Sequence, residues 1–302
     1  RAGEAYGMDV ARLLQARPEE LAAMERKLLG HADEALETAL SLLSPWPPLS
    51  LVFVRALAAR SEWLRRDAFG YLESAGDQAS RWAFVRECIL GDDGALRSDA
   101  SRWAMDTKGG PPDDLVDALW LPVLRHVAAL GGQWLTGRGS GENLVAWAER
   151  LPTDRLLEGL AELVHLGEQA AGNQRPSPLA NNRPAGLLAY VLKELDLTPA
   201  QLDTYEELVR RWTTAIAPTL EGKMQQRDWN PVARPLRDVL ERLPVERAVT
   251  LAGWTFQGPA HERAEWFGWV LHMARPEDVS LLVEAVRRVH PDQRTILLQR
   301  LP

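Results

Sequence analysis

The chain has 302 residues, a formal net charge of −7, 46% hydrophobic and 25% charged residues. This composition is that of a folded globular protein and excludes long disordered stretches. The acidic balance excludes a broad positive surface for nucleic acid, and no apolar run approaches the roughly 18 residues of a membrane span.

A single cysteine, Cys88, leaves no partner for an internal disulfide. We therefore expect a reducing, cytoplasmic compartment. The many alanines, leucines and arginines and the four lysines suggest a bacterial source with GC-rich DNA. The chain begins at Arg1 and ends within a helical pattern, so we expect it to be part of a longer protein.

The first elements in chain order are helices. "RPEEL" at Arg17 predicts a helix start, because proline is tolerated at the first helical position and acids complement the positive helix end. "LSLVFV" at Leu49 has strand-like composition but runs into "RALAAR", which favours a buried helix. "LWLPVL" places Pro122 inside a later helix, where a kink is expected.

The pentapeptide "ASRWA" occurs twice, at Ala79–Ala83 and Ala100–Ala104. Asp77 is the candidate N-cap of the first copy, and Ser98 or Asp99 that of the second. "ARSEWL" is a looser third copy, with Ser61 and Trp63 in the places of Ser80 and Trp82. This pattern predicts that Trp82 and Trp103 occupy equivalent core positions on successive helices.

Tryptophans recur at spacings of one helix plus one turn, at Trp46, Trp63, Trp82, Trp103, Trp120, Trp134 and Trp147. Trp63 and Trp103 are 40 residues apart, which is the length of two helices. The region 48–150 thus resembles HEAT and armadillo repeats, whose periods are about 40–47 residues. The resemblance implies stacked pairs of antiparallel helices, and the alternative is an irregular all-α globule.

In the second half, prolines open successive segments, as in "LPTDRLL", "TPAQL", "LPVERAV", "RPEDVSLL" and "HPDQRTILL". We expect an all-α protein of about fifteen helices in antiparallel pairs, an irregular HEAT-like α-solenoid. A tryptophan-periodic half (1–172) and a proline-punctuated half (187–302) would be joined by an exposed loop (173–186), or form one continuous domain.

No motif for catalysis, a cofactor or a metal emerges, and we predict none of these. "AHERAEWFGWVLHM" places His261 and His272 about 16 Å apart on one helix, too far to share a zinc ion. "GGQWLTGRGSG" departs from the phosphate-loop pattern. Asp92 and Asp93 are interpreted as turn or cap residues, and Cys88 as a buried, inert thiol.

We therefore expect a non-enzymatic protein–protein interaction module: an adaptor, an immunity-type inhibitor, or a regulatory or target subunit of a larger bacterial assembly. An enzyme without a recognisable motif is the alternative. Another is a nucleic-acid-contacting repeat that uses the mildly basic region 208–247. The candidate partner contacts are Arg175, Arg183, Arg211, Trp212, Arg227 and Trp229.

Overall fold

The computed structural model describes residues 17–42, 49–129, 140–172, 183–220, 233–255 and 276–288. Within these ranges all regular structure is helical, in fourteen α-helices and two short 3₁₀ segments, Leu72–Ser74 and Pro276–Asp278. The prediction of an all-α fold is confirmed. None of the described helices is both long and apolar enough to cross a membrane.

The chain divides into two compact units, residues 1–126 and 127–302. The first contains α1 (Pro18–Leu29), α2 (Asp33–Leu42), α3 (Leu51–Ala58), α4 (Glu62–Tyr71), α5 (Gln78–Leu90) and α6 (Gly94–Asp106). The boundary falls within α7 (Asp113–Ala129), which contains Pro122 as predicted.

Side-chain oxygens cap the starts of several helices in the first unit. Ser50 caps α3, which confirms that "LSLVFV" belongs to a helix. Asp77 accepts from the backbone nitrogen of Ser80 at 2.8 Å, as predicted. The cap of α6 is Asp93, whose Oδ1 accepts from the backbone nitrogens of Ala95 and Leu96. The interpretation of Asp93 as a cap residue is therefore confirmed, whereas the prediction of Ser98 or Asp99 is wrong, because α6 begins directly after a three-residue turn.

Each helix of the first unit packs against its hairpin partner and against the helix two positions away. The hairpins are α1/α2, α3/α4 and α5/α6, while α1 packs on α3, α3 on α5, α2 on α4 and α4 on α6. Arg60, just after α3, donates to the carbonyls of His31 (2.9 Å) and Leu29 at the end of α1. This arginine satisfies carbonyls that a helix end leaves without partners.

The two "ASRWA" copies meet across one helical hairpin. The rings of Trp82 and Trp103 pack edge to face, with centroids 5.1 Å apart. Trp82 lies eight residues before the end of α5 and Trp103 nine residues after the start of α6, so similar distances from the turn bring them together.

The surroundings of the two copies differ. Ala100 and Ala104 are buried, whereas Ala79 and Ala83 are exposed. Both tryptophans lie in the core, but they occupy facing positions of an antiparallel pair. The prediction that both are core residues on successive helices is confirmed, whereas the equivalence does not extend to the residues around them.

The second unit contains α8 (Ser140–Ala148), α9 (Thr153–Gly172), α10 (Arg183–Lys193), α11 (Pro199–Leu220), α12 (Ala233–Arg242), α13 (Val245–Thr255) and α14 (Val279–Arg288). Pro199 opens α11, and Pro152 and Pro244 directly precede α9 and α13, as the proline pattern predicted. The starts of α9, α11 and α13 are each 46 residues apart.

The second unit shows the same neighbour pattern as the first. Helix α10 packs on α8 and α12, and α11 packs on α9 and α13. Arg242, the last residue of α12, donates to carbonyls at the end of α10. These include Leu192, within the helix (3.3 Å), and Leu195, just after it (2.8 Å). It is the counterpart of Arg60, since both arginines bind the end of the helix two positions earlier.

Candidate functional site

Two predicted partner contacts lie on α11, and neither presents a free side chain. Arg211 forms a two-point ion pair with Glu168 of α9, at 2.8 and 2.7 Å. The hydrogen bonds from Arg211 hold the pKa of Glu168 below its usual range. Trp212 is fully buried, so its ring belongs to the core of the second unit and does not face solvent.

The other predicted contacts fall largely outside the described residues. Arg175, Arg227 and Trp229 lie outside them, as do residues 173–182 of the expected loop and the segment with His261 and His272. Arg183 opens α10, so residues 183–186 form its first turn, but the side chain of Arg183 lies outside the described part.

The arginines of region 208–247 whose side chains the structure describes pair with carboxylates. Arg210 contacts Glu206 at 2.9 Å, Arg242 contacts Asp238 at 3.0 Å, and Arg247 contacts Asp203 at 2.6 Å. Arg211 and Arg237 also have acidic partners. Their positive charge is therefore largely balanced by neighbouring acids.

The outer face of α4 presents an exposed aromatic side chain. Trp63 is 65% exposed, whereas Leu64, Ala68 and Phe69 of the same helix are buried. The hydroxyl of Ser61 caps α4 by accepting from the backbone nitrogen of Leu64. Helical spacing places Trp63, Asp67 and Tyr71 in one row, four residues apart.

The row itself contains the acidic Asp67, and Glu37 of α2 lies beside it. We call these four residues, Glu37, Trp63, Asp67 and Tyr71, the α4 face. Glu37 of α2 accepts from the Ser61 hydroxyl at 3.2 Å. Burial and the neighbouring Glu37 raise the pKa of Asp67 and Arg66 partly opposes this rise, while burial with nearby Asp67 raises the pKa of Tyr71 to about 12. The face therefore combines a solvent-facing indole with negative charge.

A second surface feature is a shallow groove of about 250 Å³ between α9 and α11. Its apolar lining residues are Leu157, which is buried, Ala161 and Ala200. The carboxylates of Asp154 and Glu158 line one side, and the remaining lining residues are Gln201 and Thr204. A groove of this size is smaller than the roughly 300–1,000 Å³ of typical small-molecule sites.

Cys88 lies on the buried side of α5. Burial, with a smaller effect of Glu87, raises the pKa of its thiol to about 12. Because the thiolate is the reactive form, we expect Cys88 to resist thiol reagents at about pH 8 in the folded protein and to react on unfolding in urea. If Cys88 were labelled equally fast with and without urea, the assignment of its thiol to a buried environment would be contradicted.

His126 of α7 lies near Asp99, which forms a partly buried ion pair with Arg65 at 2.8 Å. Burial, reinforced by Arg102 and opposed by Asp99, lowers the pKa of His126. The unfolded chain therefore binds this proton at a higher pH than the folded protein does. Stability is retained above the unfolded value of about 6.5 and is lost as the pH falls below it.

We expect the melting temperature to fall between about pH 7.5 and pH 5.5, and to fall less in His126→Gln. The matched control is His165→Gln, since His165 is exposed on α9. Thermal melts of the three proteins at both pH values provide the measurement. An equal pH dependence in all three would exclude the contribution of His126.

Among the described residues, no group of three or more histidine, cysteine, aspartate or glutamate side chains is arranged to hold a metal ion. Comparisons of the chain with protein-family models, with curated proteins and with solved structures give no match.

Proposed function

We propose that this chain is a HEAT-like helical-repeat protein that binds another protein. The regular contacts between helices one and two positions apart support the repeat in both units. The 46-residue recurrence of α9, α11 and α13 lies within the period of HEAT repeats. Arg60 and Arg242 form the same kind of contact, since each donates hydrogen bonds to carbonyls at the end of the helix two positions earlier.

The observation that carries the binding proposal is the exposure of Trp63. Burying a tryptophan removes a large apolar area from water, and this residue type is enriched among those that dominate binding energies. Trp63 shares its row with Asp67, which lies near Glu37, so its partner surface would combine an apolar pocket with positive charge. The balanced arginines of region 208–247 favour a protein over nucleic acid as partner.

Site-specific photo-crosslinking in the native host tests this function. A benzophenone amino acid would replace Trp63 in one variant and Ala79, which is exposed on α5, in a control variant. We expect one discrete adduct with another protein from position 63 and none from position 79. The same adducts from both positions, or none from position 63, would contradict the proposal.

The adduct identifies the partner for a quantitative measurement. Trp63→Ala is then expected to weaken binding by at least about 2 kcal/mol, or roughly thirtyfold in Kd. Calorimetry with the purified partner gives this value. The melting temperature of the variant should stay close to that of the parent protein, because an exposed side chain contributes little to folding.

A further inference from the structure

We propose that the groove between α9 and α11 accepts an arginine or lysine side chain of the partner protein. This inference rests on the proposed function and gives the partner a basic segment. The site lies in the second unit and is formed by Asp154, Leu157, Glu158, Ala161 and Ala200.

The lining matches both parts of a long basic side chain. Leu157, Ala161 and Ala200 provide apolar lining for the methylene groups. Asp154 and Glu158 provide carboxylates at the edge for the cationic end, and no lysine, arginine or histidine lines the groove. A volume of about 250 Å³ suits one side chain better than a larger ligand.

The carboxylate of Asp154 is held in place by the neighbouring helix. Gln201 donates from its amide to Oδ1 of Asp154 at 2.8 Å. The other end of that amide accepts from the backbone nitrogen of Thr198 at 3.0 Å, and Thr198 in turn caps the Gln201 backbone nitrogen. Asp154 is thus positioned before any partner binds, which reduces the entropy lost on binding.

The neighbouring helix pair, α11 and α13, shows how this chain binds an arginine between two carboxylates. Gln201 and Arg247 are each the third residue of their helices, α11 and α13, which begin 46 residues apart. Gln201 contacts one carboxylate of α9, whereas Arg247 bridges Asp203 (2.6 Å) and Glu206 of α11. An incoming guanidinium between Asp154 and Glu158 would likewise pair with two carboxylates of one helix, here four residues apart where Asp203 and Glu206 are three apart.

Glu158 already pairs with Arg155 through Oε2. A carboxylate has acceptor capacity for a second donor, and Glu206 uses it: Oε1 accepts from Arg210 while Oε2 accepts from Arg247. Oε1 of Glu158 can receive a second cation in the same way. The ion pair with Arg155 is therefore compatible with binding.

Methyl NMR of the full chain, labelled at leucine, tests the site with N-acetyl-arginine amide as probe. We expect a saturable shift of the Leu157 methyl signals, and none with N-acetyl-citrulline amide, which is neutral and nearly the same shape. In Asp154→Asn/Glu158→Gln the affinity should fall about tenfold, because the charge-assisted contacts are lost. The asparagine retains an acceptor for Gln201.

Glu207→Gln is the matched control, since Glu207 is an exposed acid of α11 outside the groove lining, and it should leave the affinity unchanged. Gln201→Arg should abolish the shift by placing a guanidinium in the groove. The proposal is overturned by an equal response to citrulline, by no saturable shift, or by undiminished affinity in the double variant. Shifts that depend on protein concentration alone would assign the groove to a second copy of the chain and also overturn it.

A negative result in the probe titration can be distinguished from a negative result in the crosslinking at position 63. Loss of the Trp63 adduct would remove the proposed function while an arginine-specific response at Leu157 still identified a cation-binding groove. A partner captured at position 63 without any response at Leu157 would leave the function standing and refute the groove.

Discussion

Replacing Trp82 or Trp103 by alanine is expected to lower the free energy of unfolding by about 3–5 kcal/mol each. Trp82 is 1% and Trp103 9% exposed, so each truncation leaves a large cavity in the core of the first unit. Because the two rings contact edge to face, the double variant should show a coupling energy of about 0.5–1.5 kcal/mol. Urea denaturation of the parent, single and double variants measures these values.

Trp63→Ala is the control for this pair, since Trp63 occupies the corresponding place in the third copy of the motif but is exposed. We expect its free energy of unfolding to stay within about 0.5 kcal/mol of the parent value. If all three single variants lose the same stability, the assignment of Trp82 and Trp103 to the core and Trp63 to the surface is refuted.

Arg242→Ala is expected to lower the free energy of unfolding by about 3 kcal/mol. The change removes donors from the end of α10 and leaves the carboxylate of Asp238 without its arginine. Asp238 is only 6% exposed, so its charge would be poorly solvated. Arg237→Ala is the control on the same helix: Arg237 is half exposed, and an exposed ion pair contributes at most about 1 kcal/mol.

The loss in Arg242→Ala should depend on pH. Burial raises the pKa of Asp238 above its usual value, and Arg242 opposes that shift. Without Arg242 the pKa rises further, so the buried charge destabilises the variant most at about pH 7, and protonation relieves it as the pH falls. The difference in unfolding free energy from the parent protein should therefore shrink at about pH 5. An equal difference at both pH values would show that Asp238 does not titrate as inferred.

Local sequence signals located much of the secondary structure. Asp77 and the helix-opening prolines act at the ends of helices, where one residue satisfies or removes a local backbone group, so their positions can be predicted from neighbouring residues alone. Several acids and serines precede the second "ASRWA", so Asp93, Ser98 and Asp99 are all candidate caps from the sequence. The length of the preceding turn decides that Asp93 is the cap.

The burial of individual tryptophans could not be predicted in the same way. Trp63 and Trp82 follow similar residues, yet one is exposed and the other buried, because neighbouring helices decide which face of α4 or α5 is covered. Trp212 looked like a surface aromatic because it follows two arginines. Arg211 instead pairs with Glu168 on α9, and the next residue turns into the core.

The two candidate surfaces depend on contacts between helices distant in sequence. Asp154 and Gln201 are 47 residues apart, and Glu37 reaches α4 from α2. Neither pair forms a recognisable motif. One signal in the sequence relates these distant helices. Pro152, Pro199 and Pro244 recur at nearly the 46-residue interval that separates the starts of α9, α11 and α13.

Native-state hydrogen exchange of Leu251→Ala tests the stacked arrangement most directly. Leu251 is fully buried in α13, which packs on α11, α12 and α14, while α8 packs on α10. In a stack held by near neighbours, amide protection should fall in α11–α14 and stay at parent levels in α8 and α9. An equal loss of protection in α8, α9 and α13 would show one cooperative globule and contradict the repeat.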